Sequence, residues 1–178
     1  MRIGFVSGSF KPYHSGHDAI IRLASKENDV VRVFYSTASK RDNITGEIAA
    51  MIIEKFVKKT MPVNVLLIPS TTPVLKMWQE LQAAEEVNCE NKYTIYADKK
   101  DSEKYSDIAL NRYVPNLFAR KKISAVGLVR GKETPDISAS KMRQFLLEKD
   151  CQNFSKMLPD SIRECSKEIY LSCSHIKM

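Results

Sequence analysis

No apolar run in the 178-residue chain approaches the ~20 residues that a membrane-spanning helix needs, and its first residues show no secretory-leader pattern. A cytosolic protein with no membrane partner is expected. Repeats, low-complexity tracts and linker-like stretches are missing too. The four cysteines, Cys89, Cys151, Cys165 and Cys173, show no C-x-x-C spacing. That argues against a zinc site or a disulfide framework and leaves them as reduced thiols. Histidine is scarce, with only His14, His17 and His175 in the whole chain, and His175 lies in a tail with no assigned role. Long basic runs are also absent. The net charge of +7 comes from 28 Lys and Arg against 21 Asp and Glu, dispersed in groups such as Lys58-Lys59, Lys99-Lys100 and Arg120-Lys121-Lys122. Such a balance suits a polyanionic small molecule or nucleic acid, but scattering without interleaved aromatics points away from nucleic acid and toward solvated helix faces.

With 43% hydrophobic and 28% charged residues, the composition is that of one globular domain spanning 1–178. Hydrophobic periodicity then alternates between strand and helix. Strands are predicted at Ile3–Val6, Val30–Tyr35, Val63–Ile68, Tyr93–Ala97 and Ile123–Val129. Between them lies a helix over Asp18–Ala24 with Ala19, Ile20, Leu23 and Ala24 as its apolar stripe. A second is capped by Thr45, carries Ile48, Ile52, Ile53, Phe56 and Val57, and ends at Pro62; Pro73 opens a third, whose spacing puts Trp78 in the core. Polar runs fill 36–42, 99–104 and 131–136, and Pro115 interrupts an ambiguous segment over 108–118. Ser138 caps a helix over Ala139–Glu148. Residues 151–178 read as a C-terminal helical extension, one helix or two over Phe154–Tyr170, with a loose end from Ser172. The fold class is therefore α/β: a parallel sheet of about five strands with helices on both faces. Nothing in the pattern separates an exposed apolar stripe from core, so a homo-oligomer stays open.

The most informative stretch is IGFVSGSFKPYHSGH, residues 3–17. It reads as strand, loop and helix start, and the helix start offers unpaired N–H groups and partial positive charge to an anion, phosphate above all. Gly8 and Gly16 would let backbone approach that ligand closely. Two of the three histidines, His14 and His17, sit within four residues of each other at this turn, where their ring N–H groups can add to the site.

Gly8 to His17, G-S-F-K-P-Y-H-S-G-H, resembles the G-x-F-x-P-x-H-x-G-H signature of the HxGH nucleotidyltransferases, matching all six fixed positions. That superfamily includes NMN adenylyltransferase, pantetheine-phosphate adenylyltransferase and glycerol-3-phosphate cytidylyltransferase. A second segment, Ile137-Ser138-Ala139-Ser140-Lys141-Met142-Arg143, is similar to the superfamily's I-S-x-[ST]-x-x-R motif. The resemblance implies a Rossmann-like nucleotidyltransferase fold, with His14, His17 and Arg143 catalytic. It also implies nucleotide binding by Gly8, Ser9, Phe10, Lys11, His14, Gly16, His17, Ile137, Ser138, Ser140 and Arg143. Lys11 stands where many bacterial relatives carry Asp. Lys40, Arg41 and Asp98 are candidate phosphate or acceptor contacts, weighed against ordinary loop roles. No metal ligand in the protein is implied, and Mg²⁺ is expected with ATP. The implied reaction is direct attack of an acceptor phosphate on the α-phosphorus of a nucleoside triphosphate, with pyrophosphate leaving. A terminal Arg143 favours ATP with NMN or a related mononucleotide. The alternatives are a cytidylyltransferase acting on a phosphorylated alcohol or sugar, and a non-catalytic nucleotide- or nucleic-acid-binding protein.

Overall fold

Five strands form one all-parallel sheet: β1 (Arg2–Gly8), β2 (Val30–Ser36), β3 (Val65–Ser70), β4 (Lys92–Asp98) and β5 (Ile123–Leu128), in the order β3-β2-β1-β4-β5. The computed structural model describes residues 1–38, 40–87 and 90–174; Cys89 and His175 lie outside the described residues. The helices are α1 (Ser15–Glu27), α2 (Gly46–Ile52), α3 (Pro73–Glu86), α4 (Lys99–Ser102), α5 (Asp107–Tyr113), α6 (Pro115–Ala119), α7 (Ala139–Leu147), α8 (Cys151–Met157) and α9 (Ser166–Ser174). Successive parallel strands require crossovers, and the helices supply them on both faces.

The two faces bury separate apolar clusters. On one, Val6, Val31, Val33 and Tyr35 of the sheet meet Ile20, Ile21 and Ala24 of α1, Ile52 and the turn after α2, and Met142 of α7. On the other, Ile3, Phe5, Phe34 and Ile95 pack against Met77, Trp78 and Leu81 of α3, Leu110 of α5 and Leu117 of α6. Trp78 is a core residue, as its spacing predicts. The buried stripe of α1 is turned slightly from the expected one, with Ile21 fully covered while Ala19 and Leu23 are half-buried.

Several boundaries differ from the sequence reading. β3 begins at Val65 rather than Val63, because the Val65 amide turns back onto the Pro62 carbonyl at 3.0 Å and leaves Val63 in solvent. The helix that Thr45 caps, through the Ile48 amide at 3.2 Å, loosens into a π turn over Ile53–Val57 and a 3-10 turn over Lys58–Thr60 before Pro62. The ambiguous segment resolves into α5 and α6, with Pro115 in the first turn of α6, where its missing N–H is no loss. The start of α2 sits so close to the preceding loop that a Cβ on Gly46 would lie 2.0 Å from the Thr37 carbonyl oxygen; only glycine fits there.

The C-terminal segment is part of the core. Phe154 and Leu158, with Ile162, Ile169, Tyr170 and Cys173, join the same cluster as Val6 and Ile21. Burial pushes the Cys173 thiol up to about 12, so it is a packing group rather than a reactive one. The helix continues through Ser174, past the Ser172 at which a loose end was expected.

Candidate active site

In the order 3-2-1-4-5 the chain reverses direction across the sheet between β1 and β4, and open α/β sheets collect ligands at the carboxyl ends of the strands at that point. A cleft of about 510 Å³ opens there, walled by the loops after β1, β4 and β5. That size is ordinary for a small-molecule site.

His14 is the N-cap of α1. Its Nδ1 accepts from the Gly16 amide at 3.1 Å and the His17 amide at 3.4 Å. An Nδ1 that accepts leaves the proton of a neutral ring on Nε2, so the cap itself selects the tautomer. His17 stacks on His14 with ring centroids 3.6 Å apart and rings 22° from parallel, and its outer side meets the edge of Phe10 at 4.6 Å. Its Nδ1 is covered and has no hydrogen-bond partner among the described residues. Burial, aided by the Arg130 charge, lowers the His14 pKa to about 3; burial, then His14 and Arg130, carry His17 well below the usual imidazole range. Both rings are neutral N–H donors at physiological pH. Behind them Tyr13, fully buried, donates to Asp18 at 3.2 Å, and Asp18 is held by Arg22 at 2.6 Å.

The start of α1 differs in one respect from expectation, which left its first amides unpaired. The Gly16 and His17 amides in the first turn of α1 are engaged by His14 Nδ1. A Cβ on Gly16 would lie 2.9 Å from the His14 ring. Gly16 makes room for the histidine and also lines the cleft.

A depressed histidine pKa has a consequence for stability. Between the unfolded value of 6.5 and the folded value of about 3, the unfolded chain binds a proton that the folded His14 does not. Stability therefore falls as pH drops below 6.5. Urea unfolding at pH 7.5 and 5.5 should show that loss, and His14→Asn, whose side-chain oxygen can still cap α1, should show a smaller one.

Of the predicted residues, Gly8, Ser9, Phe10, His14, Gly16, His17, Arg41, Asp98 and Ile137 line the cleft. Lys11, Lys40, Ser138, Ser140 and Arg143 are not brought to its wall. Lys11 is fully buried and donates to the Ala38 carbonyl at 2.7 Å; burial, then the Arg41 charge, lowers its pKa. Ser138 caps α7 through the Lys141 amide at 3.1 Å. Arg143 pairs with Asp42 through Nε, donates to the Lys11 carbonyl at 2.8 Å and to Ser140 Oγ at 3.1 Å.

The structure adds wall residues that the sequence did not single out. Arg130, just past β5, pairs with Asp98 at the end of β4. Lys104 pairs with Asp101 at 2.6 Å, and the buried Tyr105 meets Ser7 with oxygens 3.1 Å apart. Their signal is positional: Arg130 follows the carboxyl end of β5, and Lys104 and Tyr105 form a 3-10 turn just after α4, which follows β4. Among the described residues no three of His, Cys, Asp or Glu gather to hold a metal.

Solved structures with the same architecture identify the fold. A Vibrio parahaemolyticus protein provisionally named as a nicotinate-nucleotide adenylyltransferase superposes with a TM-score of 0.61 at 15% identity, over 93% of this chain and 98% of its own. The Plasmodium falciparum nicotinic acid mononucleotide adenylyltransferase, complexed with NaAD, gives 0.60 at 17% identity over 95% and 97%. The chain has the nucleotidyltransferase fold. Thermotoga maritima TmcAL, bound with alpha-thio ATP, gives 0.58 at 12% identity over 94% of this chain, which spans 56% of that protein. No family model matches the sequence, and no curated protein matches it significantly. No helix among the described residues of this nucleotidyltransferase-fold chain is long and apolar enough to cross a membrane.

Proposed function

We propose that this chain is a nucleotidyltransferase that moves AMP from ATP to a phosphate-bearing acceptor, NMN or nicotinate mononucleotide in the first instance, and releases pyrophosphate. One observation carries the reading: two stacked, neutral imidazoles, one with its proton placed on Nε2 by the helix cap, face a cleft at the sheet's switch point. The ligands of the Plasmodium and Thermotoga proteins support it, as does the G-S-F-K-P-Y-H-S-G-H match.

An acceptor phosphate is already an anion, so attack at the α-phosphorus needs no nucleophilic side chain. The work left to the protein is alignment and stabilisation of charge on the transferring and leaving phosphates. His14 and His17 donate N–H groups from α1, and Arg41 and Lys104 add positive charge at the cleft wall. Arg143 lies off the cleft wall, paired with Asp42, and contacts a phosphate only if that pair opens. Magnesium enters as magnesium–ATP, a substrate, where it shields the triphosphate. Nothing in this arrangement depends on a membrane or on nucleic acid.

The test is pyrophosphate release with Mg²⁺, comparing ATP with CTP, each alongside NMN, nicotinate mononucleotide, phosphopantetheine and glycerol 3-phosphate. Release with ATP and a mononucleotide is the expected result. Release with CTP alone overturns the adenylyl reading and keeps the chemistry; none in any mixture overturns the function.

A further inference from the structure

Of the arginines at or near the cleft, Arg143 and Arg130 differ most plainly in their surroundings. Arg143 has each guanidinium nitrogen engaged, by Asp42, the Lys11 carbonyl and Ser140 Oγ, and it ties together the loops after β1 and β2 with α7. Arg130 lies on the cleft wall and uses only Nε, on Asp98; its two terminal nitrogens have no partner among the described residues. Asp98 is itself fixed, accepting from the Lys100 amide at 3.0 Å as the cap of α4. The Arg130 backbone is pinned as well: it bridges to Thr134, and the Gly131 amide, at a φ of +74°, donates to the Thr134 carbonyl at 2.7 Å. A guanidinium held by Nε keeps its Nη1/Nη2 edge for one more planar, bidentate partner, and a phosphate fits that edge.

We propose that Arg130 is a substrate-contacting residue of this cleft, clamping the nucleotide's phosphate chain from the β5 side while His14 and His17 donate from the β1 side, with Asp98 as its positioning residue. The proposal deepens the nucleotidyltransferase reading and rests on it. The charge of Arg130 also reaches both rings, helping to keep them neutral. Asp98, which alone would repel a phosphate chain at the end of β4, is neutralised by the same pair.

Arg130→Gln and Lys92→Ala each remove one positive charge; Lys92 begins β4, at the opposite end of the sheet. Both are compared with the wild type in pyrophosphate-release kinetics and in calorimetric titration with magnesium pyrophosphate. Arg130→Gln should lower kcat/KM at least tenfold and weaken pyrophosphate binding about tenfold, with Lys92→Ala near wild type in both. Equal behaviour of Arg130→Gln and wild type overturns the proposal, as does an equal loss in both variants, which would be a net-charge effect. If no substrate pair turns over, the proposed function fails, while the titration still decides Arg130: weaker binding by Arg130→Gln alone supports it, and unchanged or absent binding overturns it. Should Arg130→Gln unfold because Asp98 is left unpaired, the Asp98→Asn/Arg130→Gln pair keeps the charge balance and carries the same comparison.

Discussion

Replacing His17 with alanine is expected to lower kcat for pyrophosphate release by ~10²–10³, the usual loss when one donor to developing charge is removed. The His17 ring lies over His14 with centroids 3.6 Å apart, against the edge of Phe10, and lines the cleft. Its removal takes away a donor and leaves the cap of α1 in place, because the Gly16 amide still finds His14 Nδ1. The loss should fall mainly on kcat, since a donor to the transferring phosphate acts in the transition state more than in the bound ground state. Thermal unfolding of the variant should stay close to wild type, separating a chemical effect from a folding one. Turnover within a few-fold of wild type would remove His17 from the chemistry, and with it the main support for the proposed reaction.

Phe154→Ala tests the body of the protein rather than its site. Phe154 is fully buried and meets Tyr170 edge-on, with centroids 5.4 Å apart and rings 80° from parallel. It belongs to the cluster that covers Val6 and Ile21 behind the histidine loop. Truncating a buried Phe costs about 3–5 kcal/mol, through lost transfer energy and the cavity left behind. For a domain of this size that lowers Tm by roughly 6–20 °C. Urea unfolding with a single shared transition and that loss is the expected result. A cost below about 1 kcal/mol would make residues 151–174 the appended extension that their sequence pattern suggests.

The contrast between the two arginines shows where reading a sequence stops. Arg143 stands out in the sequence because a short local pattern, Ile137 to Arg143, resembles a known motif, and the helix with its Ser138 cap is where that pattern puts it. Which way the guanidinium turns depends on Asp42, 101 residues away along the chain. Arg130 has no motif around it. Its place on the cleft wall follows from β5 lying beside β4, which sets it against Asp98, 32 residues away.

By itself the sequence determined the order of strands and helices, the cap residues Thr45 and Ser138, the core position of Trp78 and the histidine loop, because these rest on periods and spacings of a few residues. Tertiary structure alone decided the neutrality of both rings, the burial of Lys11 and the joining of the C-terminal helices to the core. Each of those depends on which distant groups share a small volume and exclude water from it, and that is set by how the sheet stacks the loops.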